Sequence, residues 1–314
     1  MSTSPEIPPE VPLLRRWGGV REGTVRRLRD ASCRNFSYLV PLIALIMELN
    51  DKKFAVLVDA DNISHRKIKD ILDEIANYGT PTIKRIYGDF TNPKFAAWKE
   101  VLLEQLPKKE KDQVQILDIG TGPGFFAILL AEEGYQVTAV DYTEQMLQEA
   151  KSNAADLADQ ISFKRMDAQN LEFPKETFDY IVTRNVTWNL EHPKRAYREW
   201  QRVLKPGGKI LNFDANWYAY LYDDKLKLGY EQDRQRAKEE QVEDYYEGTD
   251  IAWMENIAKQ VPLSPLKRPK WDLDVLKKIG LDCWADETIG ERVLSDAEKI
   301  NYQSTPVFMV CAVK

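Results

Sequence analysis

The sequence feature that most constrains the fold of this 314-residue chain is a glycine-rich turn after a short apolar run. The run ends at Asp118, and Gly120, Gly122 and Gly124 follow at alternate positions. This order predicts a buried parallel strand, a tight turn and the start of a helix. Glycines let the backbone turn sharply and approach a ligand that a Cβ atom would hold away. The turn is therefore predicted to bind a cofactor.

The spacing of the glycines separates two kinds of cofactor turn. The nicotinamide-dinucleotide fingerprint is G-x-G-x-x-G, whereas this chain has G-x-G-x-G behind an aspartate. The pattern resembles motif I of the class I S-adenosylmethionine (SAM) dependent methyltransferases. The resemblance implies an α/β fold, a doubly wound and mostly parallel seven-stranded sheet of Rossmann-like type, and SAM as the cofactor.

Strand and helix patterns alternate after the turn, as a doubly wound sheet requires. Strands are predicted at residues 137–140, 161–165, 178–183 and 209–213, with a polar residue at the end of each. The Leu-Lys-Pro-Gly-Gly segment at 204–208 is also frequent in the same family. An apolar segment at 306–313 fits the antiparallel last strand of the family's closing hairpin. The resemblance covers residues 107–314, and an insertion at 216–270 is expected to form a lid.

The resemblance assigns SAM-binding roles to the ends of successive strands. Asp118 and the turn backbone would hold the amino-acid moiety, Asp141 the ribose hydroxyls, and Asp167 with Ala168 the adenine. The expected cofactor-binding residues are Asp118, Gly120, Thr121, Gly122, Gly124, Asp141, Tyr142, Asp167, Ala168 and Asn185. A nicotinamide enzyme would carry the same acid at position 141. The structural alternatives are Asp118 as a cap on the turn and Asp167 as a helix N-cap.

The acceptor is predicted to bind beyond the fourth and fifth strands, because the cofactor occupies the first half of a doubly wound sheet. Trp188 and Asn189 follow the fourth strand, and Trp217 and Tyr218 open the insertion. These four residues are the expected acceptor contacts. The alternative is that the aromatic side chains only pack the lid onto the sheet.

Methyl transfer from a sulfonium requires no dedicated base, since an in-line approach of the nucleophile can itself lower the barrier. If a base takes part, His192 and Asp214 are the candidates, although a histidine beside Pro193 is also typical of a turn. The sequence lacks the Asp/Asn-Pro-Pro-Tyr/Phe motif of methyltransferases that modify base amino groups, and it lacks a Pro-Cys nucleophile. We therefore expect a small-molecule acceptor.

The segment from residue 47 to 106 has strand patterns at 54–58 and 82–86 and an amphipathic helix pattern at 64–78. It resembles the first half of an NYN (PIN-like, LabA-like) ribonuclease domain, in which a strand-end aspartate, here Asp59, helps to hold a divalent metal. Further metal-binding acids of that family are missing before the glycine turn. We therefore expect no metal site and no nuclease activity. Asp59 is then a vestigial metal candidate or, like Asp61 and Asn62, a turn and capping residue.

A helix pattern around residues 94–105 could serve either neighbouring part of the chain. Apolar residues stand at helical spacing, namely Trp98, Val101, Leu102 and Leu106. Methyltransferases of this class carry a helix before motif I that covers one face of the sheet, and this stripe suits that position. We interpret the segment as a shared helix rather than a flexible linker.

Residues 1–46 differ from the rest in composition, with a Pro-rich start and seven basic residues that are all Arg. We interpret this segment as a disordered extension. The alternative is a basic arm that binds nucleic acid or a partner.

The charge balance opposes nucleic-acid binding by the catalytic region. Residues 113–314 hold 25 basic and 34 acidic residues, whereas affinity for nucleic acid comes mainly from positive surfaces. Three cysteines without a C-x-x-C pair indicate neither disulfides nor a thiolate metal site, which suits the cytoplasm. The longest apolar run, 38–47, is about half of the ~20 residues that cross a bilayer, so no membrane association is expected.

Two other functions compete with methyl transfer at this stage. The NYN-like segment and the Arg-rich extension could make the chain an RNA-binding or nuclease-related protein. The methyltransferase-like part could also be a non-catalytic fold that serves association. Salt-dependent RNA binding would favour the first alternative, and SAM binding without turnover would favour the second.

Overall fold

The computed structural model describes residues 25–26, 45–49, 53–59, 80–87, 93–108, 110–242, 244, 246 and 251–314. By compactness the chain divides into two units, Met1–Asp89 and Phe90–Lys314. Each unit has its own β-sheet.

The first unit contains β1 (Val25–Arg26), β2 (Leu45–Leu49), β3 (Lys53–Asp59) and β4 (Thr80–Tyr87). These strands form one sheet in chain order, in which β3 and β4 are parallel and β2 is antiparallel to β3. The two strands expected in the NYN-like segment are thus confirmed, and Asp59 is the last residue of β3. Asp61, Asn62, the helix expected at 64–78 and most of residues 1–46 lie outside the described residues.

The second unit contains β5 (Gln115–Ile119), β6 (Gln136–Asp141), β7 (Ile161–Arg165), β8 (Phe178–Arg184), β9 (Leu204–Asp214), β10 (Asp282–Asp286) and β11 (Phe308–Val313). They form a seven-stranded sheet in the order β10-β11-β9-β8-β5-β6-β7. The five strands from β5 to β9 pair in parallel, and β11 is antiparallel to both β9 and β10. The doubly wound, mostly parallel sheet with an antiparallel closing strand is confirmed.

The helices of this unit are α1 (Pro93–Gln105), α2 (Phe125–Glu132), α3 (Glu144–Ala154), α4 (Pro193–Val203), α5 (Asp224–Glu239), α6 (Ile251–Ala258), α7 (Lys270–Lys278), α8 (Gly290–Val293) and α9 (Asp296–Asn301). No helix within the described ranges is long and apolar enough to cross a membrane.

The sheet is buried on both faces, which is why its parallel strands are almost continuously apolar. On one face α1 and α2 pack against side chains such as Val182 of β8 and Phe213 of β9. On the other face α4 buries Tyr197 and Trp200 against Ile181 and its neighbours. The aromatic and aliphatic contacts of these two layers hold the carboxyl ends of β5, β6, β8 and β9 at one edge.

Helix α1 belongs to the second unit. Its apolar stripe, consisting of Trp98, Val101, Leu102 and Leu106, is at most 5% exposed. This stripe packs into the same apolar cluster as α2. The division by compactness, after Asp89, therefore lies before the boundary expected at residue 106, because α1 contributes its apolar face to the methyltransferase-like sheet.

Candidate functional site

The glycine turn adopts the tight geometry that its sequence predicts. Gly120, Gly122 and Gly124 have φ values of 66°, 53° and 96°, in the left-handed region. A Cβ atom on Gly120 would lie 2.3 Å from the Cγ2 atom of Val186. Only glycine avoids both the backbone strain and this overlap. The turn thus lies directly against the segment that follows β8.

Asp118 fastens the turn to helix α2. Its Oδ2 atom accepts hydrogen bonds from the Thr121 hydroxyl at 2.6 Å and from the Ala127 backbone N–H at 3.0 Å. The side chain is only 2% exposed, and this burial raises its pKa from 3.8 to about 7, although the two hydrogen bonds oppose the shift. Asp118 therefore holds the turn against α2, which agrees with the alternative in which it caps the turn.

Asp141 ties the other side of the turn to β6. Its two oxygens accept backbone N–H groups from Gly122 at 3.0 Å and from Thr143 at 2.9 Å. The backbone N–H groups of Gly120 and Thr121 both donate to the carbonyl of Val140. A half-buried carboxylate thus lies at the open side of the turn.

Tyr142 and the residues after β7 extend the same edge of the sheet. Tyr142 is 69% exposed, and the Arg165 guanidinium lies 6.0 Å from its ring centroid. Asp167 is half-buried and accepts the backbone N–H of Gln169 at 2.8 Å. The carbonyl of Ala168 accepts a hydrogen bond from the Trp200 indole at 2.9 Å. The structure therefore gathers the residues expected around the adenosine along one edge.

Asn185 begins the segment that joins the cofactor turn to the aromatic cavity. It has a φ of 58°, an unusual value for a residue other than glycine. Its backbone N–H donates to the carbonyl of Phe213, and its own carbonyl accepts the indole N–H of Trp188 at 3.0 Å. This strained position turns the chain away from β8 and orients Trp188.

Three of the four expected acceptor residues meet in one small cavity. Its lining includes Trp188, Trp217 and Tyr218 together with Ala215, Asn216, Leu263, Ser264 and Arg268. The rings of Trp188 and Tyr218 lie 5.3 Å apart. The Ser264 hydroxyl is buried and has no hydrogen-bond partner among the described residues. Asn189 is exposed and does not line this cavity.

Asp214 lies beneath the aromatic cavity in a buried network. The carboxylate is fully buried and accepts hydrogen bonds from Arg268 Nη1 at 2.7 Å, from the Trp217 indole at 3.1 Å, and from the backbone N–H groups of Trp188 and Ala215, each at 2.9 Å. These four bonds favour an anchoring role over the role of base for which Asp214 is a candidate. A base must reach the proton that it takes, and this carboxylate has no free surface.

Arg268 extends the network to helices α4 and α7. It donates twice to Asp272, at 2.9 Å in each case, and Asp272 accepts the Tyr197 hydroxyl at 2.5 Å. Burial alone would lower the Arg268 pKa, but the carboxylates of Asp214 and Asp272 raise it, so the guanidinium is charged. The end of the predicted lid is thereby fixed to the sheet.

His192, the second candidate base, lies at the N-terminus of α4 and precedes Pro193. Its side chain is 59% exposed, and Nε2 is 3.7 Å from a carboxylate oxygen of Glu191. It does not line the aromatic cavity. This arrangement agrees with the alternative in which His192 is a turn residue beside Pro193.

Sequence reasoning missed Arg268, Asp272 and Arg184. The i,i+4 spacing of Arg268 and Asp272 on a helical pattern could have indicated an ion pair. Nothing local indicates that Asp214, more than 50 residues earlier in the chain, joins it. Arg184 directly follows the strand predicted at 178–183, and its charge at that edge of the sheet was the signal that could have found it.

Two known families match overlapping parts of the chain. Residues 117–212 match the methyltransferase domain family, and the glycine turn follows β5, the middle one of the five parallel strands. The chain contains a class I SAM-dependent methyltransferase domain. Residues 53–158 match the NYN domain family, a match that extends past residue 106 and overlaps the methyltransferase match. Within this overlap, residues 117–158 form parts of the methyltransferase sheet and its helices α2 and α3.

Relatives of the methyltransferase domain include proteins of several pathways. The biotin biosynthesis bifunctional protein BioHC of Cellvibrio japonicus is 37% identical over 108 residues, 34% of this chain and 21% of that protein. The ubiquinone biosynthesis O-methyltransferase of Coxiella burnetii is 28% identical over 163 residues, 51% of this chain and 67% of that protein. The UbiE C-methyltransferase of Rickettsia massiliae is 31% identical over 144 residues, 43% of this chain and 54% of that protein. The matches thus span between a fifth and two-thirds of these relatives.

Among solved structures, phosphoethanolamine N-methyltransferase 2 of Haemonchus contortus in complex with SAM is similar at a TM-score of 0.48. Its sequence is 20% identical, and the match covers 69% of this chain and 52% of that one.

Proposed function

We propose that the methyltransferase domain transfers the methyl group of SAM to a small-molecule acceptor that binds against the residues of the aromatic cavity. One observation carries this proposal: the glycine turn and the cavity of Trp188, Trp217 and Tyr218 meet at the same edge of the sheet. Val186, which lies against Gly120, precedes Trp188 of the cavity by two residues. A cofactor on the turn and an acceptor in the cavity would thus be neighbours.

Asp141 is proposed to accept hydrogen bonds from the ribose hydroxyls of SAM. Its carboxylate is half-buried beside the turn and already orients the Gly122 N–H. Asp141→Ala would remove this acceptor and loosen the turn, so we expect a loss of about 1.5–3 kcal/mol in binding S-adenosylhomocysteine. Calorimetry measures this loss, with Asp159→Ala, an exposed acid between α3 and β7, as the matched control. Equal affinities of the wild type and Asp141→Ala would overturn the assignment.

The aromatic cavity is proposed to bind the acceptor through ring contacts and one hydroxyl. Trp217 and Tyr218 supply apolar walls, and Ser264 supplies an unpartnered polar atom. Such a lining is typical of small-molecule sites, in which a few polar groups fix the orientation of an otherwise apolar ligand.

Labelled SAM and a metabolite extract provide the test of this cavity. Trp217→Ala and Tyr218→Ala should lower turnover while leaving cofactor affinity within about 0.5 kcal/mol. Trp284→Ala removes an exposed ring on β10 and is the matched control. If the cavity variants lose cofactor binding with the fold intact, the rings belong to the cofactor site. If they lower only the melting temperature, the rings merely pack the lid.

In this proposal the protein contributes orientation rather than proton transfer. The anchored Asp214 holds the Trp188 backbone and the Trp217 indole through direct hydrogen bonds. Two rings of the cavity are therefore fixed by one buried carboxylate. Fixed geometry of this kind lowers the barrier of an in-line displacement.

RNA cleavage is the second candidate function, because residues 53–158 match the NYN domain family. We expect no such activity, since one strand-end aspartate, Asp59, cannot by itself hold a hydrolytic metal in place. Incubation of RNA with Mn²⁺ and the full chain tests this expectation. Cleavage that disappears in Asp59→Asn would make the chain bifunctional.

A further inference from the structure

Arg184 is the last residue of β8 and lies between the glycine turn and the helices of one sheet face. Its guanidinium carbon is 4.7 Å from the ring centroids of both Trp98 and Phe125. The two rings are nearly perpendicular, at 88°, so they form a corner around the cation. Phe125 is the first residue of α2, immediately after Gly124. Arg184 therefore borders the cofactor turn on the side of β8.

Within the described part of the chain, the Arg184 guanidinium has neither a hydrogen bond nor an ion pair. Burial lowers its pKa, and the negative charge of Glu298 only partly opposes this effect. The Glu298 carboxylate is itself bound to the backbone N–H and hydroxyl of Ser295, at 2.9 Å each. Arg184 is half-buried, so its guanidinium has N–H donors that the described residues do not use and that a ligand can reach.

We propose that Arg184 binds an oxyanion, a carboxylate or a phosphate, carried by the methyl acceptor. This inference rests on the proposed methyl transfer and narrows the acceptor class to anionic molecules. A guanidinium offers a planar fork of N–H donors that matches such groups. The rings of Trp98 and Phe125 hold the guanidinium in place, and the N–H groups at its edges remain available to a ligand.

The position of Arg184 favours the acceptor over the carboxylate of SAM itself. Tyr302, which lies near Arg184, packs against Trp217 with ring centroids 5.2 Å apart. Trp217 lines the aromatic cavity. Arg184 thus lies between the cofactor turn and the proposed acceptor site, and Asp118 and Asp141, the acids expected at the cofactor, lie on β5 and β6.

The first experiment compares an anion with its neutral analogue. The full chain is saturated with S-adenosylhomocysteine and titrated with benzoate or benzamide, with binding followed by NMR. We expect the wild type to prefer benzoate and Arg184→Gln to lose about tenfold or more in benzoate affinity while its benzamide affinity is unchanged. Arg198→Gln, which removes an exposed arginine of α4, is the charge-matched control. A wild type without a preference for benzoate overturns the proposal.

A second experiment separates the two sources of the anion. S-Adenosylhomocysteine carries a carboxylate, and 5′-methylthioadenosine lacks the whole amino-acid moiety. If Arg184→Gln weakens the binding of S-adenosylhomocysteine but not that of 5′-methylthioadenosine, the cofactor carboxylate is the partner of Arg184 and the acceptor assignment is wrong. Unchanged affinities for both nucleosides, together with the loss of benzoate binding, support it. Failure of the wild type to bind S-adenosylhomocysteine would instead refute the proposed methyl transfer.

Arg184→Gln also removes packing against two rings, so its fold must be monitored. Arg184→Met retains an unbranched side chain of similar length without the charge, and it should lose benzoate affinity to the same extent. Melting temperatures of both variants are compared with the wild type. Benzoate binding that survives in a folded Arg184→Met variant overturns the proposal.

Discussion

Replacement of Asp214 by Asn is expected to destabilise the methyltransferase unit strongly. The Asp214–Arg268 pair is at most 1% exposed, and the carboxylate accepts four hydrogen bonds. An amide can keep the bonds of one oxygen, but its NH2 group then faces the donors of Arg268 and Trp188. Breaking one side of a buried ion pair costs about 3–5 kcal/mol. Because Asp272 still neutralises Arg268 through two bonds, we expect about 3 kcal/mol, the lower end of that range.

Urea unfolding followed by tryptophan fluorescence measures this loss. The matched control is Glu104→Gln, which breaks the pair of Glu104 with Arg292, whose side chains are 43% and 44% exposed. An exposed pair contributes little to stability, so Glu104→Gln should cost much less than Asp214→Asn. Equal costs would refute the anchoring role. Intact stability together with loss of turnover would instead support Asp214 as a base.

Two further predictions concern the glycine turn. Burial raises the pKa of Asp118 from 3.8 to about 7 in the folded state, so folding favours the protonated form of this side chain. Relative to Asp118→Asn, the wild type should therefore lose stability as the pH rises from about 4 to 7, by roughly 1–4 kcal/mol. Unfolding free energies measured across this range would contradict the argument if the two curves ran parallel. Gly120→Ala should lower both the melting temperature and the affinity for S-adenosylhomocysteine, because its Cβ would overlap Val186. Gly134 also has a positive φ, but no atom lies within 4 Å of a Cβ added there, so Gly134→Ala should cost only about 1–2 kcal/mol. Equal effects of the two substitutions would show that backbone strain alone, without the overlap with Val186, requires glycine at position 120.

The sequence alone was sufficient to predict the methyltransferase sheet. Each parallel strand is a short apolar run between polar turns, and the glycine spacing after Asp118 identified the strand on which the cofactor turn is built. These signals are local: burial on both faces requires apolar strands, and a left-handed turn requires glycine. The clustering of Trp188, Trp217 and Tyr218 was also predicted, because strand ends in a doubly wound sheet share one edge.

The tertiary structure decided what the polar side chains do at that edge. Asp214 was a candidate base in sequence, but its carboxylate is buried against Arg268, 54 positions away. Among the described residues, Arg184 is surrounded by the rings and the carboxylate that α1, α2 and α9 bring together when they pack. Hydrophobic periodicity records which residues are buried, whereas the partners of a buried charge depend on side-chain directions and on contacts between segments distant in the chain. The sequence therefore determined the scaffold and its cofactor edge, and only packing determined that Asp214 and Arg268 anchor each other beneath the aromatic cavity.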